Sequence, residues 1–207
     1  MSSERATIGR YRSGPLARSF LILHGYEGSG PEHWQTWLAD RLRRAGETVA
    51  YPELPAPLAP TLPAWRSTLE AELRALPGAP HVIAHSLACL LWLHHCAHAF
   101  LEGGCADRVL LVAPPSAAGA PRALLPFFPV PLDAARVAAA AAGETRLVCA
   151  PDDPYCPEDA ATLYGEPLGL EVDVLPGARH VNVETGYGPW PDAEAWCYGG
   201  SSSVAPA

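Results

Sequence analysis

The sequence predicts an α/β fold in which a mostly parallel central sheet is flanked by helices. Three observations predict it. Short apolar runs of strand length alternate along the chain with longer runs whose apolar residues recur at helical spacing. Ser86 stands where the apolar run His81-Val82-Ile83-Ala84 stops and a helix-like run begins. An aspartate pair, Asp152 and Asp153, and a histidine, His180, each follow another strand-like run, at the sheet edge where α/β active sites gather.

The elements follow in order. Residues 19–23 form a short apolar strand that ends at His24-Gly25-Tyr26-Glu27-Gly28-Ser29-Gly30. Pro31 then opens a helix to about Ala45, with Trp34, Trp37, Leu38 and Leu42 on one face. A second strand near residues 48–51 precedes a proline-rich loop, and Trp65, Leu69, Leu73 and Leu76 mark the next amphipathic helix. The strand that delivers Ser86 is followed by a helix over residues 87–100, and residues 108–112 supply another strand. Prolines break residues 114–132, so no regular element is expected there. That segment reads either as a substrate-binding wall beside Ser86 or as a hydrophobic plug over the sheet. Alanines make residues 134–142 a helix. Residues 145–150 and 170–175 are the last two strands, each opening into a turn.

At 207 residues and 49% hydrophobic composition the chain can bury one sizeable core. One domain is expected over residues 18–197, with flexible segments at 1–17 and 198–207. A formal charge of −8 argues against nucleic-acid or anionic-membrane partners and for a small, uncharged or weakly charged ligand. Arg5, Arg10, Arg12 and Arg18 near the start have no apolar core between them, and no stretch approaches the roughly 18 apolar residues of a membrane span. The expected location is the cytoplasm. Six cysteines without a Cys-x-x-Cys pair read as reduced thiols, with Cys156 set apart by its closeness to the aspartate pair.

Ala84-His85-Ser86-Leu87-Ala88 has the spacing of the Gly-x-Ser-x-Gly turn that presents the nucleophile in α/β-hydrolases, with alanine in place of both glycines. An ordinary small residue at a helix N-cap is the competing reading. A serine hydroxyl becomes nucleophilic when a histidine takes its proton and a carboxylate orients that histidine. The order Ser86, then Asp152 or Asp153, then His180 is the order of that fold. The glycine-rich turn after the first strand offers backbone N–H groups for a developing oxyanion, and Tyr26 and Leu87 stand in the two donor positions. A phosphate-binding loop is the alternative for Gly25, Gly28 and Gly30, but their spacing is not Gly-x-Gly-x-x-Gly and no Gly-Lys-Ser/Thr follows.

Taken together, several strings resemble the retinoblastoma-binding protein nine-like serine hydrolases: His24-Gly25-Tyr26-Glu27-Gly28-Ser29, His33-Trp34-Gln35 with Trp37, His85-Ser86-Leu87, Asp153-Pro154-Tyr155-Cys156, and His180-Val181-Asn182 continuing to Gly186-Tyr187-Gly188-Pro189-Trp190-Pro191. The resemblance runs from about Phe20 to Trp196. It implies a three-layer α/β-hydrolase fold with little or no cap domain, a Ser-His-Asp triad, and no metal or organic cofactor. Carried over, the nucleophile is Ser86, the acid Asp153 and the base His180. The chain departs from the family at Ala84 and Ala88 and at Arg179, where the family has glycine.

The expected activity is hydrolysis of a carboxylic ester, with a thioester or small amide as variants, through an acyl-enzyme. His24, Trp34, His85, Phe127 and Phe128 are the expected substrate-pocket residues. His94 and His98, one helical turn apart, could share a metal with Cys105 or His95, but read as the surface and rim of their helix. The rival reading is a protein-interaction module on a hydrolase scaffold. The family's namesake was linked to a pocket protein that binds Leu-x-Cys-x-Glu segments, and the nearest string here, Leu147-Val148-Cys149-Ala150-Pro151, lacks the glutamate.

Overall fold

Six parallel strands hydrogen-bond in the order β2-β1-β3-β4-β5-β6 in a computed structural model that describes residues 17–98, 104–199 and 204. They are β1 (Ser19–Leu23), β2 (Thr48–Ala50), β3 (His81–His85), β4 (Val109–Val112), β5 (Thr145–Cys149) and β6 (Glu171–Val174). The period-2 alternation of side chains sorts them into two cores. Leu21, Leu23, Val82, Ala84, Val109, Leu111, Leu147 and Cys149 face one side, and Phe20, Ile22, Ile83, Leu110, Val112 and Val148 face the other. Helices α2 (Leu62–Ala75), α3 (Leu87–His98), α4 (Ala134–Ala140) and α5 (Glu166–Leu168) cover the first side; α1 (Trp34–Arg44) and α6 (Pro191–Cys197) cover the second. Helix α3 is buried from Leu87 to Cys96, with an apolar run from Leu87 to Leu93, as befits a helix enclosed between the sheet and its neighbours.

The chain runs outward from β1 to β2 and then returns to place β3 on the other side of β1. The crevice at this reversal, outside the carboxyl ends of β1 and β3, is where an open α/β sheet forms its site.

Element boundaries differ from the sequence reading for local reasons. Helix α1 starts at Trp34 rather than Pro31 because the His33 side chain caps it, accepting the Gln35 N–H at Nδ1. Helix α4 stops at Ala140 because Ala141 pairs with Ala106. The proline-rich segment holds a 3₁₀ turn, Arg122–Phe127, which periodicity did not reveal. A π turn (Ala161–Gly165) running into α5, and the helix α6, were also missed. Residues 99–100 of the expected third helix, residues 1–16, and residues 200–203 and 205–207 lie outside the described residues.

Val204 corrects the expectation of a loose tail at its own position. It is fully buried against the second core, and its N–H donates to Asp173 Oδ2 at 2.7 Å. The other oxygen of Asp173 accepts from Arg146 Nη1 at 3.2 Å in an ion pair whose members are each 8% exposed. Removing Asp173 leaves buried Arg146 with Glu144 as its remaining carboxylate, at 3.0 Å, and takes the acceptor from the Val204 N–H. Asp173→Ala is therefore expected to cost about 3 kcal/mol of stability, read as a lower urea midpoint at unchanged m value.

Candidate active site

Ser86 follows the last residue of β3 and precedes the first of α3, and its backbone sits in the left-handed region at φ 55°. That torsion costs a non-glycine residue energy and is held from both sides. The Ser86 N–H donates to Val112 O at 2.8 Å, and Ser86 O accepts the Cys89 N–H at 2.9 Å. From β1, Gly25 comes so close that a Cβ placed on it would lie 2.7 Å from the Ser86 Cβ. No side chain larger than hydrogen fits there. The flanking Ala84 and Ala88 are fully buried and fit without a glycine.

Asp153 and His180 are delivered by the turns after β5 and β6. The Asp153 carboxylate is buried, accepts the Tyr155 N–H at 2.9 Å, and accepts from His180 Nδ1 at 2.8 Å and 3.1 Å. A carboxylate only accepts, so the proton is on Nδ1 and leaves Nε2 as the acceptor. Nε2 lies 2.9 Å from Ser86 Oγ. Asp152, by contrast, is exposed, and its Oδ1 lies 3.4 Å from the Arg179 N–H. Ser86, His180 and Asp153 are thus linked in one hydrogen-bonded row.

The row opens into a cavity of about 480 Å³ lined by Tyr26, Glu27, His33, His85, Pro115, Pro121, Leu124, Tyr155, Asn182 and Glu184, among others. Of the expected pocket residues, His85 lines it. His24 faces a neighbouring cavity instead, because its Nε2 accepts the Leu54 N–H at 2.8 Å and its Nδ1–H donates to Gly25 O. Trp34 is fully buried behind the site, with its Nε1–H on Val181 O at 2.9 Å. Phe127 is turned into the core against Trp65, and half-buried Phe128 packs on the same core; neither lines the cavity. The wall from that segment is Pro115, Pro121 and Leu124. Tyr155 was overlooked as a lining residue, though its ring centroid lies 4.4 Å from that of His180. Its place two residues after Asp153 was the available signal.

Tyr26 lines the cavity and Leu87 begins α3; among the described residues neither backbone N–H has an acceptor. Burial lowers the pKa of His24, carries His85 well below the usual histidine range, and brings His33 down to about 4. These rings are neutral at pH 7. Burial also pushes the Cys156 thiol up to about 12, so it offers no thiolate beside Asp153.

His94 is buried rather than on the surface and bonds Phe127 O through Nε2 at 2.8 Å; His98 Nδ1 bonds His94 O. Among the described residues no group of three or more His, Cys, Asp or Glu side chains could hold a metal ion. No described helix is long and apolar enough to cross a membrane. Leu147, Val148 and Cys149 are buried in β5, which closes that string to a partner.

Comparison with known proteins places these features in a family. The family model for "Serine hydrolase" matches residues 20–198. YdeN of Bacillus subtilis (strain 168), which carries a hydrolase name, is 34% identical over 83 residues, 40% of this chain and 44% of that protein, so the match spans less than half of its length. The crystal structure of YdeN superposes with a TM-score of 0.75 at 22% identity, covering 90% of this chain and 100% of that one. A YdeN-like protein of Pectobacterium atrosepticum gives 0.69 at 21% identity over 92% and 94% of the two chains. A structure from a study of carboxylesterases of Nitrososphaera gargenis gives 0.58 at 13% identity over 80% and 84%. These likenesses establish the α/β-hydrolase fold.

His33 makes a stability prediction. Its ring titrates near 6.5 when unfolded and near 4 when folded, so the unfolded chain takes up a proton first as pH falls. The contribution is complete above pH 6.5 and is lost toward pH 4, by about 2 kcal/mol between pH 7 and pH 5. Urea unfolding at those two pH values should show His33→Asn, which keeps a helix-capping acceptor, losing less stability on acidification than the parent.

Proposed function

The chain belongs to the serine hydrolase family, and from that premise we propose that it hydrolyses small carboxylic esters through an acyl-enzyme formed on Ser86. The observation that carries this reading is the position of His180, with Nε2 at 2.9 Å from Ser86 Oγ and Nδ1 at 2.8 Å from Asp153 Oδ2. Ser86 Oγ attacks the ester carbonyl as His180 Nε2 takes its proton, and buried Asp153 holds the imidazolium that results. The unengaged N–H groups of Tyr26 and Leu87 receive the oxyanion. His180 then hands its proton to the leaving alcohol. A water, deprotonated by the same nitrogen, releases the acid and restores Ser86. The strings around Asp153 and after His180 support a finer placement with the retinoblastoma-binding protein nine-like members.

Ser86→Ala should abolish labelling by a fluorophosphonate and lower turnover of p-nitrophenyl acetate by at least about 10⁴-fold. Asp153→Asn should cost about 10⁴-fold, and Asp152→Asn, at an exposed position, less than about 10-fold. Equal labelling of the Ser86→Ala variant would end the proposal, and a larger loss at Asp152 would move the acid role there.

A cavity of about 480 Å³ suits a small substrate. Its lining includes Glu27 and Glu184 and, among the described residues, no arginine. A substrate carboxylate would meet two like charges, at about 1 kcal/mol each near solvent. The p-nitrophenyl ester of acetate should therefore exceed the anionic hemisuccinate ester in kcat/KM by roughly 10-fold or more, and Glu27→Gln with Glu184→Gln should narrow the ratio.

A further inference from the structure

His180 stands between two residues whose backbones are both left-handed, Arg179 at φ 49° and Val181 at φ 48°. Neither is a glycine, and a β-branched residue in that region is a true outlier. Such a segment persists only where its surroundings over-determine it. Two ring N–H groups meet it from the same side. His85 Nε2–H donates to His180 O at 3.0 Å, and Trp34 Nε1–H donates to Val181 O at 2.9 Å. Trp34 also donates its backbone N–H to Tyr187 O, which ties the start of α1 to the loop beyond the histidine. The two donors brace each other, since the Trp34 and His85 rings meet edge to face with centroids 5.8 Å apart. Trp190 also meets Trp34 edge to face, with centroids 5.1 Å apart.

We propose that Trp34 and His85 are positioning residues for His180: their ring N–H groups grip two consecutive carbonyls and hold the strained turn that keeps Nε2 within reach of Ser86. Neither ring makes a hydrogen bond to Ser86 or Asp153 in the structure. Their effect passes through the backbone of the base. His85 is the residue before Ser86, so the strut that fixes the base is built on the strand that carries the nucleophile. The two reacting groups are referenced to one another across 94 positions of sequence by a single imidazole. This inference rests on the triad reading above, and the experiment separates the two.

One portion each of wild type, Trp34→Phe, His85→Leu and His85→Gln is labelled to completion with a fluorophosphonate, which counts competent sites, while Ser86→Ala, expected to take no label, tests the triad. Turnover is measured on a second, unlabelled portion of each and divided by the number of sites that the probe counts, alongside urea unfolding. Trp34→Phe keeps an aromatic ring and removes the N–H; His85→Leu removes the donor; His85→Gln keeps an amide N–H with nearly the reach of Nε2. The expected result is a fall in kcat per site of roughly 10- to 100-fold for Trp34→Phe and His85→Leu, with KM within about twofold, and recovery of most of that loss in His85→Gln. A role in packing alone predicts lower urea midpoints with unchanged turnover per labelled site, and that result would overturn the proposal. So would equal loss in His85→Gln and His85→Leu. Should Trp34→Phe fail to fold, the two His85 variants decide the matter between them.

Discussion

The carboxyl ends of β1 and β3 approach so closely that one Cβ cannot be accommodated between them, and the site depends on that approach. Gly25 supplies the missing atom's space, and Ser86 occupies it with a left-handed backbone. The glycine requirement normally associated with the residues flanking such a serine is met here across the strands. Ala84 and Ala88 can carry their methyl groups into the core, whereas Gly25 cannot carry one at all. Tyr26 and Leu87, the two proposed oxyanion donors, are each the residue immediately after a member of the tight contact.

Histidine takes several roles around that contact, and burial separates them. His180 faces a buried carboxylate and the serine hydroxyl. His85, His33 and His24 are kept neutral by desolvation and serve as hydrogen-bonding parts: a strut to the base, a helix cap and a loop tie. In the proposed reaction, a cluster of neutral rings leaves no other charged imidazole beside His180 when it takes the Ser86 proton. Were the neighbours charged at neutral pH, they would oppose the proton transfer on which the chemistry depends.

The parallel sheet, its strands and the order of Ser86, an aspartate pair and His180 were legible because each rests on a local pattern, a buried apolar run and the turn that ends it; the preference for Asp153 over Asp152 came from the family resemblance. Phe127 and Phe128 show where local pattern fails. Two adjacent aromatics in a proline-broken segment look like a pocket wall, but the 3₁₀ turn over Arg122–Phe127 sends Phe127 inward to Trp65 and leaves Leu124 at the cavity. Trp34 was assigned to the pocket by its neighbourhood in sequence, while its ring is held by Val181, 147 positions away. Val204 likewise lies in a stretch of serine, glycine and alanine that reads as slack, yet it packs into the second core and donates its N–H to the Asp173 carboxylate on a distant strand. In each case the deciding partner is remote, so no window of sequence contains it.

The segment after β4 couples the cavity wall to the Asp153 loop. Ser116 donates its N–H to Tyr155 O at 2.8 Å, its hydroxyl bonds Glu158, and Gly119 passes so close to Tyr155 O that a Cβ there would lie 2.3 Å away. Tyr155 in turn donates its N–H to Asp153 and lays its ring on His180. Residues 116–119 are therefore tied through Tyr155 to Asp153, and a bulkier residue at Gly119 would push on that loop. Pro121 and Leu124, a few residues on, touch the cavity and stand outside that lock. Substrate shape can thus change at Pro121 and Leu124 while the geometry of Asp153 and His180 stays fixed. A fold without a large cap can alter its selectivity by that route and leave its chemistry in place.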